Sequence, residues 1–144
     1  MPPSPRPAAP DRRAHEPAGP DQSRVFVVVL TAWLVPGAAH LLHGEPRKAS
    51  VFFVALVAMF AVGIAAGGRL FPFEPSDPLV FLEAAAEWLI GLPRMVAGLG
   101  GFGEGEVTAA TYEYGNTFLI ASGLLNALVI LDAVDLATGR KARR

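Results

Sequence analysis

The chain has 144 residues, 52% of them hydrophobic and 17% charged, with a formal net charge of −1 and no cysteine. A charge so close to zero excludes a protein built mainly to neutralise phosphates, so nucleic acid is not an expected partner. The lack of cysteine excludes disulfides, thiolate nucleophiles and thiolate metal sites.

The placement of the charges decides the class, because residues 25–42, 49–68 and 117–131 contain no Asp, Glu, Lys or Arg. A helix crossing a hydrocarbon core about 30 Å thick needs roughly 20 residues. A domain of this size has too little interior to bury three such runs on every side. The predicted fold is an all-α integral membrane bundle of about three hydrophobic segments, with the lipid bilayer as its first partner.

Residues 1–23 are rich in proline, with scattered Arg, Asp and Glu. Such a stretch cannot bury enough apolar surface to offset its ordering entropy and is read as a disordered tail. A helical membrane domain is expected over 24–139. Arg24, the run 25–35 and the small residues Gly37 and Ala39 imitate a secretory signal. The long proline-filled stretch before Arg24 argues against one, and an uncleaved anchor is expected.

The first segment, 25–42, holds Pro36-Gly37, where the proline removes a helical donor and clashes with the preceding turn. What precedes the break is too short to span alone. Two solutions are open, a kinked span and a re-entrant segment. The second segment, 49–67, ends in Gly63-Ile-Ala-Ala-Gly67, a small-xxx-small spacing that allows close helix approach. The third, 117–136, repeats that spacing at Gly123 and Ala127 and offers a partner face.

The connection between them is acidic, with Glu74, Asp77, Glu83, Glu87, Glu104, Glu106 and Glu113 against Arg69 and Arg94. Arg47 and Lys48 occupy the first loop, and the tail 140–144 is basic. Lys and Arg accumulate on the cytoplasmic side, which places loop 1 and the C-terminus inside the cytoplasmic (inner) membrane and the acidic connection outside. A spanning first segment would put the N-terminal arginines outside, so the charge bias favours re-entry.

Within the connection, 79–98 is apolar except for Glu83, Glu87 and Arg94. On one continuous helix these fall within about 40° of one another. The expectation is an amphipathic interfacial helix, kinked by Pro93 near its end, with its polar stripe toward water or a bundle cleft. The rival is a fourth span. The glycines from Gly98 to Gly105 form a loop, and Tyr112 and Tyr114 suit an aromatic belt.

His40 and His43, one helical turn apart, are weak metal-ligand candidates together with Asp132 and Asp135. The plainer account gives His40 a facing helix to bond, His43 a headgroup, and the aspartates partners among Arg47, Lys48 and Arg140. Asn126, deeper in the last segment, is expected to bond across to another helix. Asp132-Ala-Val-Asp135 followed by Gly139-Arg140 resembles half of the aspartate motif of membrane phosphatidyl-alcohol transferases. The second aspartate pair does not follow. Phosphate-binding, Gly-x-Ser-x-Gly, His-Glu-x-x-His and dinucleotide motifs are missing as well, so no enzymatic activity and no cofactor are expected.

Trp33-Leu-Val-Pro36-Gly37-Ala-Ala-His40-Leu-Leu-His43-Gly44, followed by a basic turn and an apolar helix, resembles the opening of the two-transmembrane-helix domain. Residues 126–139 resemble its closing stretch, whereas the 67–116 connection departs from its shorter linker. From about Leu30 onward, including Tyr112-Glu-Tyr-Gly-Asn116-Thr and Asp132-Ala-Val-Asp135, the chain is more closely similar to an uncharacterised bacterial family of small multi-pass membrane proteins. Neither resemblance brings an established activity.

Two functions follow as expectations. The first is a non-catalytic structural or interaction component, working by self-association or contact with other membrane proteins. The second is an ion, proton or small-solute transporter or metal binder using His40, Asn126, Asp132 and Asp135 around the break at Pro36. Whether His40 reaches Asp132 separates them.

Overall fold

The computed structural model describes residues 22–139. The proline-rich tail up to residue 21 and the basic tail 140–144 lie outside the described residues. Among those described, the chain is all-helical: α1 Gln22–Leu34, α2 Ala38–Leu42, α3 Pro46–Ala65, α4 Pro78–Trp88, α5 Leu92–Leu99 and α6 Tyr112–Ala137. Two of these, α3 and α6, are long and apolar enough to cross a membrane.

α3 opens with Pro46 in its first turn, where the missing N–H is one the helix would leave unpaired anyway. It packs antiparallel to α6. A Cβ at Gly63 would overlap the Leu119 side chain and crowd the Gly115 carbonyl, and a Cβ at Gly115 would overlap the backbone of Gly68. Small residues thus let the two backbones touch. The expected Gly63/Gly67 pair is divided, since Gly67, with φ +85°, lies beyond the end of α3. Gly123 likewise does not serve α3. It faces Ala86 of α4, whose carbonyl fills the place of a side chain.

The first hydrophobic segment doubles back. α1 ends at Leu34, two residues before Pro36, whose ring a continuing helix would drive against the Ala32 carbonyl. Gly37 then takes φ +79°, pressed against the Ala49 carbonyl and Phe52, so a side chain has neither the conformation nor the room. α2 returns, and Gly44 at φ +75° closes it before α3. α1 runs antiparallel to α6: Ala32 reaches Asn126, while Val28, Ala32 and Ala39 cluster with Ala133, Ile130 and Ala137.

The 79–98 segment is a second helical hairpin, in place of the single interfacial helix expected. α4 begins with Pro78 behind Asp77, whose carboxylate accepts from the Leu79 and Val80 amides at 3.0 and 3.3 Å. It runs parallel to α6, with Ala86 beside Gly123 and Leu89 beside Asn126. The chain breaks at Gly91, φ 71° and ψ −120°, a conformation open to glycine. Pro93 opens α5 instead of kinking a longer helix. α5 heads back toward the end of α3, where Leu70 donates to the Gly103 carbonyl at 2.8 Å.

The tips of the two hairpins meet about halfway along α6. A Cβ at Gly91 would overlap the Trp33 carbonyl oxygen. A core of Leu56, Phe60, Ile90, Ala97, Leu119 and Val129 fills the space around this junction. The outside of α3 and α6 is apolar as well, with Val51, Val54, Val62, Leu124, Leu128 and Leu131 exposed.

Candidate functional site: buried polar groups along α6

The polar side chains buried in this apolar bundle gather at three levels against α6. At the level nearest its C-terminus, the break at Pro36-Gly37 directs α2 so that His40 enters the interface. Its side chain is fully buried, and its Nε2 lies 3.0 Å from Asp132 Oδ2. A carboxylate accepts, so Nε2 carries the hydrogen and Nδ1 is left as an acceptor. Nδ1 has no hydrogen-bond partner among the described residues. The ring stands edge-on to Phe52, centroids 5.0 Å apart. The Asp132 side chain keeps 31% of its surface exposed, so the pair has one sealed face and one open face.

The other metal-ligand candidates do not join them. His43 Nδ1 donates to the Ala39 carbonyl at 2.7 Å, one turn back. Asp135 is half-buried one turn beyond Asp132. Among the described residues no group of three or more His, Asp or Glu side chains is placed to hold a metal ion. Lys48 pairs with Glu45 at 2.8 Å, where the sequence suggested an aspartate.

Halfway along α6, Asn126 is fully buried. Its Nδ2 donates to the carbonyls of Ala32, at 3.3 Å, and Leu89, at 2.8 Å, which are the ends of α1 and α4. Two acceptor carbonyls fix the orientation of the amide, so Oδ1 points elsewhere, and it has no partner among the described residues. Trp33 Nε1 donates to the Trp88 carbonyl at 2.9 Å and locks the same junction from the side.

The third level lies toward the start of α6; the sequence reading placed Glu87 and Arg94 on one polar stripe but did not foresee the Phe71 peptide that they hold. The segment after α3 turns inward at Phe71, and both polar groups of that peptide are held by side chains. The Phe71 N–H donates to Glu87 Oε2 at 2.9 Å, and Arg94 Nη2 donates to the Phe71 carbonyl at 2.5 Å. Glu87 and Arg94 face each other at 3.5 Å, and the guanidinium lies 4.5 Å over the Trp88 ring. Glu83, placed with them on one stripe by the helical wheel, is half-buried and makes none of these contacts. Asn116 does similar work nearby, its Oδ1 accepting from the Arg69 amide at 2.8 Å.

No curated protein and no solved structure gives a significant match to this chain. A family profile does match, over residues 27–142, and so takes in all the described helices except the first residues of α1. The chain belongs to DUF6677, a family of unknown function.

Proposed function

We propose that the chain is a multi-pass protein of the cytoplasmic membrane that takes up and releases protons or small cations at the His40–Asp132 pair and catalyses no covalent chemistry. Lipid as solvent accounts for the apolar exterior of α3 and α6, which water would penalise over an area far larger than a soluble monomer exposes. With the basic loop and tail facing the cytoplasm, both hairpins are re-entrant, the first from the inside and the second from the outside. Broken helices at such depth are tolerated where protein covers the freed backbone groups. Asn126 and Trp33 provide that cover here.

One observation carries the ion-handling reading: a fully buried imidazole bonded to a half-open carboxylate beside a broken helix. Imidazole is the side chain whose ordinary charge change falls near neutral pH. Ionisable groups at such a place usually mark an ion or proton route. The test is proton and cation flux in vesicles reconstituted with the purified chain. His40→Ala and Asp132→Asn should each abolish it, and flux unchanged in both would end the reading.

A packing component is the second reading. It is favoured by an apolar cavity of about 740 Å³ on the flank of α3, lined by Leu34, Phe53, Phe60, Leu92 and Val96. Self-association or contact with another membrane protein would fill it. Cross-linking from Phe53→Cys in native membranes, with flux absent, is the outcome that would favour this reading over the first.

A further inference from the structure

The cavity of about 740 Å³ on the flank of α3 has a definite direction and a definite chemistry. Its inner end is the turn of the first hairpin, Leu34 to Pro36, where the next residue, Gly37, presses on Phe52. Its back wall follows α3 from Phe53 to Ala65, and α5 forms the facing wall. Its outer end is Phe102, beside the hydrogen bond from the Leu70 amide to the Gly103 carbonyl. The stretch of α3 from Phe53 to Ala65 rises about 18 Å, and half of a hydrocarbon core measures about 15 Å. With the C-terminal end of α3 outward, as proposed above, the groove runs from near mid-membrane to the outer interface, the depth of one leaflet. It exists because the first hairpin turns back at mid-depth and leaves the outer half of this flank to α5.

Every side chain lining the groove is Ala, Val, Leu, Ile, Pro or Phe, so no side chain in it can hold an ion or a polar substrate. Left unfilled, its walls would lose their contact partners on one side. A transmembrane helix is a poor filler, because it is about 10–12 Å wide and crosses both leaflets, whereas the groove serves one. A hydrocarbon chain has the right shape: its carbons pack at about 4 Å from the walls, and in a bilayer it already lies along this axis. The exposed charges at the outer end, Arg69, Glu104 and Glu106, are of both signs, so the rim favours no charged headgroup and selection falls on the chain. We infer that the groove is a binding site for an acyl chain of an outer-leaflet phospholipid, held between α3, α5 and the turn at Pro36. The inference rests on the membrane placement proposed above, and it is independent of ion exchange at His40.

The test uses the full chain extracted from its membranes in mild detergent, with bound lipid read by mass spectrometry of the intact complex. The wild type should carry a phospholipid that survives washing with detergent, whatever its headgroup. Ala61→Phe with Val96→Phe fills the groove from both walls and should lower the occupancy about tenfold or more, since each ring displaces several methylenes. Ala61→Phe alone narrows the same groove and replaces the double variant if that does not fold. Val62→Phe, exposed on α3 outside the groove, should keep the lipid. A wild type without lipid, or a groove-filling variant that retains it equally, would overturn the inference. Cross-linking of Phe53→Cys to a second copy or to another membrane protein would overturn it too, by giving the groove to a partner helix as the packing reading holds. The membrane placement fails by a separate sign, recovery of the folded chain from the soluble fraction without detergent.

Discussion

The hairpins formed by α1–α2 and α4–α5 meet tip to tip, yet they settle their charged side chains in opposite ways. The second is self-contained: Glu87 on its inward limb faces Arg94 on its outward limb, and together they hold both polar groups of the Phe71 peptide. The first sends His40 outside itself, to Asp132 on α6, and that carboxylate remains part open. A buried ion pair acts as a fastener, because removing either partner would strand the other, although Glu87 Oε1 and Arg94 Nε have no hydrogen-bond partner among the described residues. A pair with one open face stays in reach of solvent without unfolding anything. The contrast teaches that two equally buried ionisable side chains can differ in whether water reaches their partner, and that difference is what the proposed exchange site rests on.

The junction shared by both hairpins should be the most sensitive place to break. Gly91→Ala and Gly123→Ala each drive a Cβ into a backbone carbonyl of the facing hairpin, and Gly91 also loses its allowed conformation. A loss of about 4 kcal/mol or more is expected, read as failure to recover folded monodisperse protein. Next comes the fastener. Arg94→Met strands Glu87 and should cost about 3 kcal/mol, and the double change Glu87→Leu with Arg94→Met should restore most of it. A double variant no more stable than the single one would mean that the Phe71 peptide, not the ion pair, sets the energy.

The open pair sharpens the comparison from the other side. His40→Ala should cost only about 1–2 kcal/mol in thermal unfolding while abolishing flux. Equal damage from His40→Ala and Arg94→Met would erase the distinction between the hairpins. The smallest effect belongs to Trp33→Phe, which keeps an aromatic ring, though a smaller one, and loses one hydrogen bond to the Trp88 carbonyl, about 1 kcal/mol.

The first hairpin was legible in the sequence and the second was not, for a definite reason. Proline inside an apolar run is an unambiguous break, so Pro36 announced a turn, and His40 followed closely enough to be placed near Asp132. Gly91 announced nothing, because glycine in an apolar helix is tolerated. Pro93 drew attention instead, two residues past the true turn. A helical wheel drawn through 79–98 then gathered Glu83, Glu87 and Arg94 on one stripe by assuming the continuity that Gly91 removes. Phe71 carried no signal at all, since its role depends on backbone groups that a sequence does not display. The Gly63 spacing was informative about close packing, but the partner, Gly115, stood outside the segment expected to begin at 117. The earlier start of α6 brings it into contact.

The clamp on Phe71 has a practical corollary for anyone labelling this chain. Adding a residue between Arg69 and Phe73 would shift the register against Glu87 and Arg94, so tags there should be rejected during biogenesis. Gly98, by contrast, is exposed near the end of α5 with open space around it and no positive φ, which makes it the natural point to carry a fluorophore.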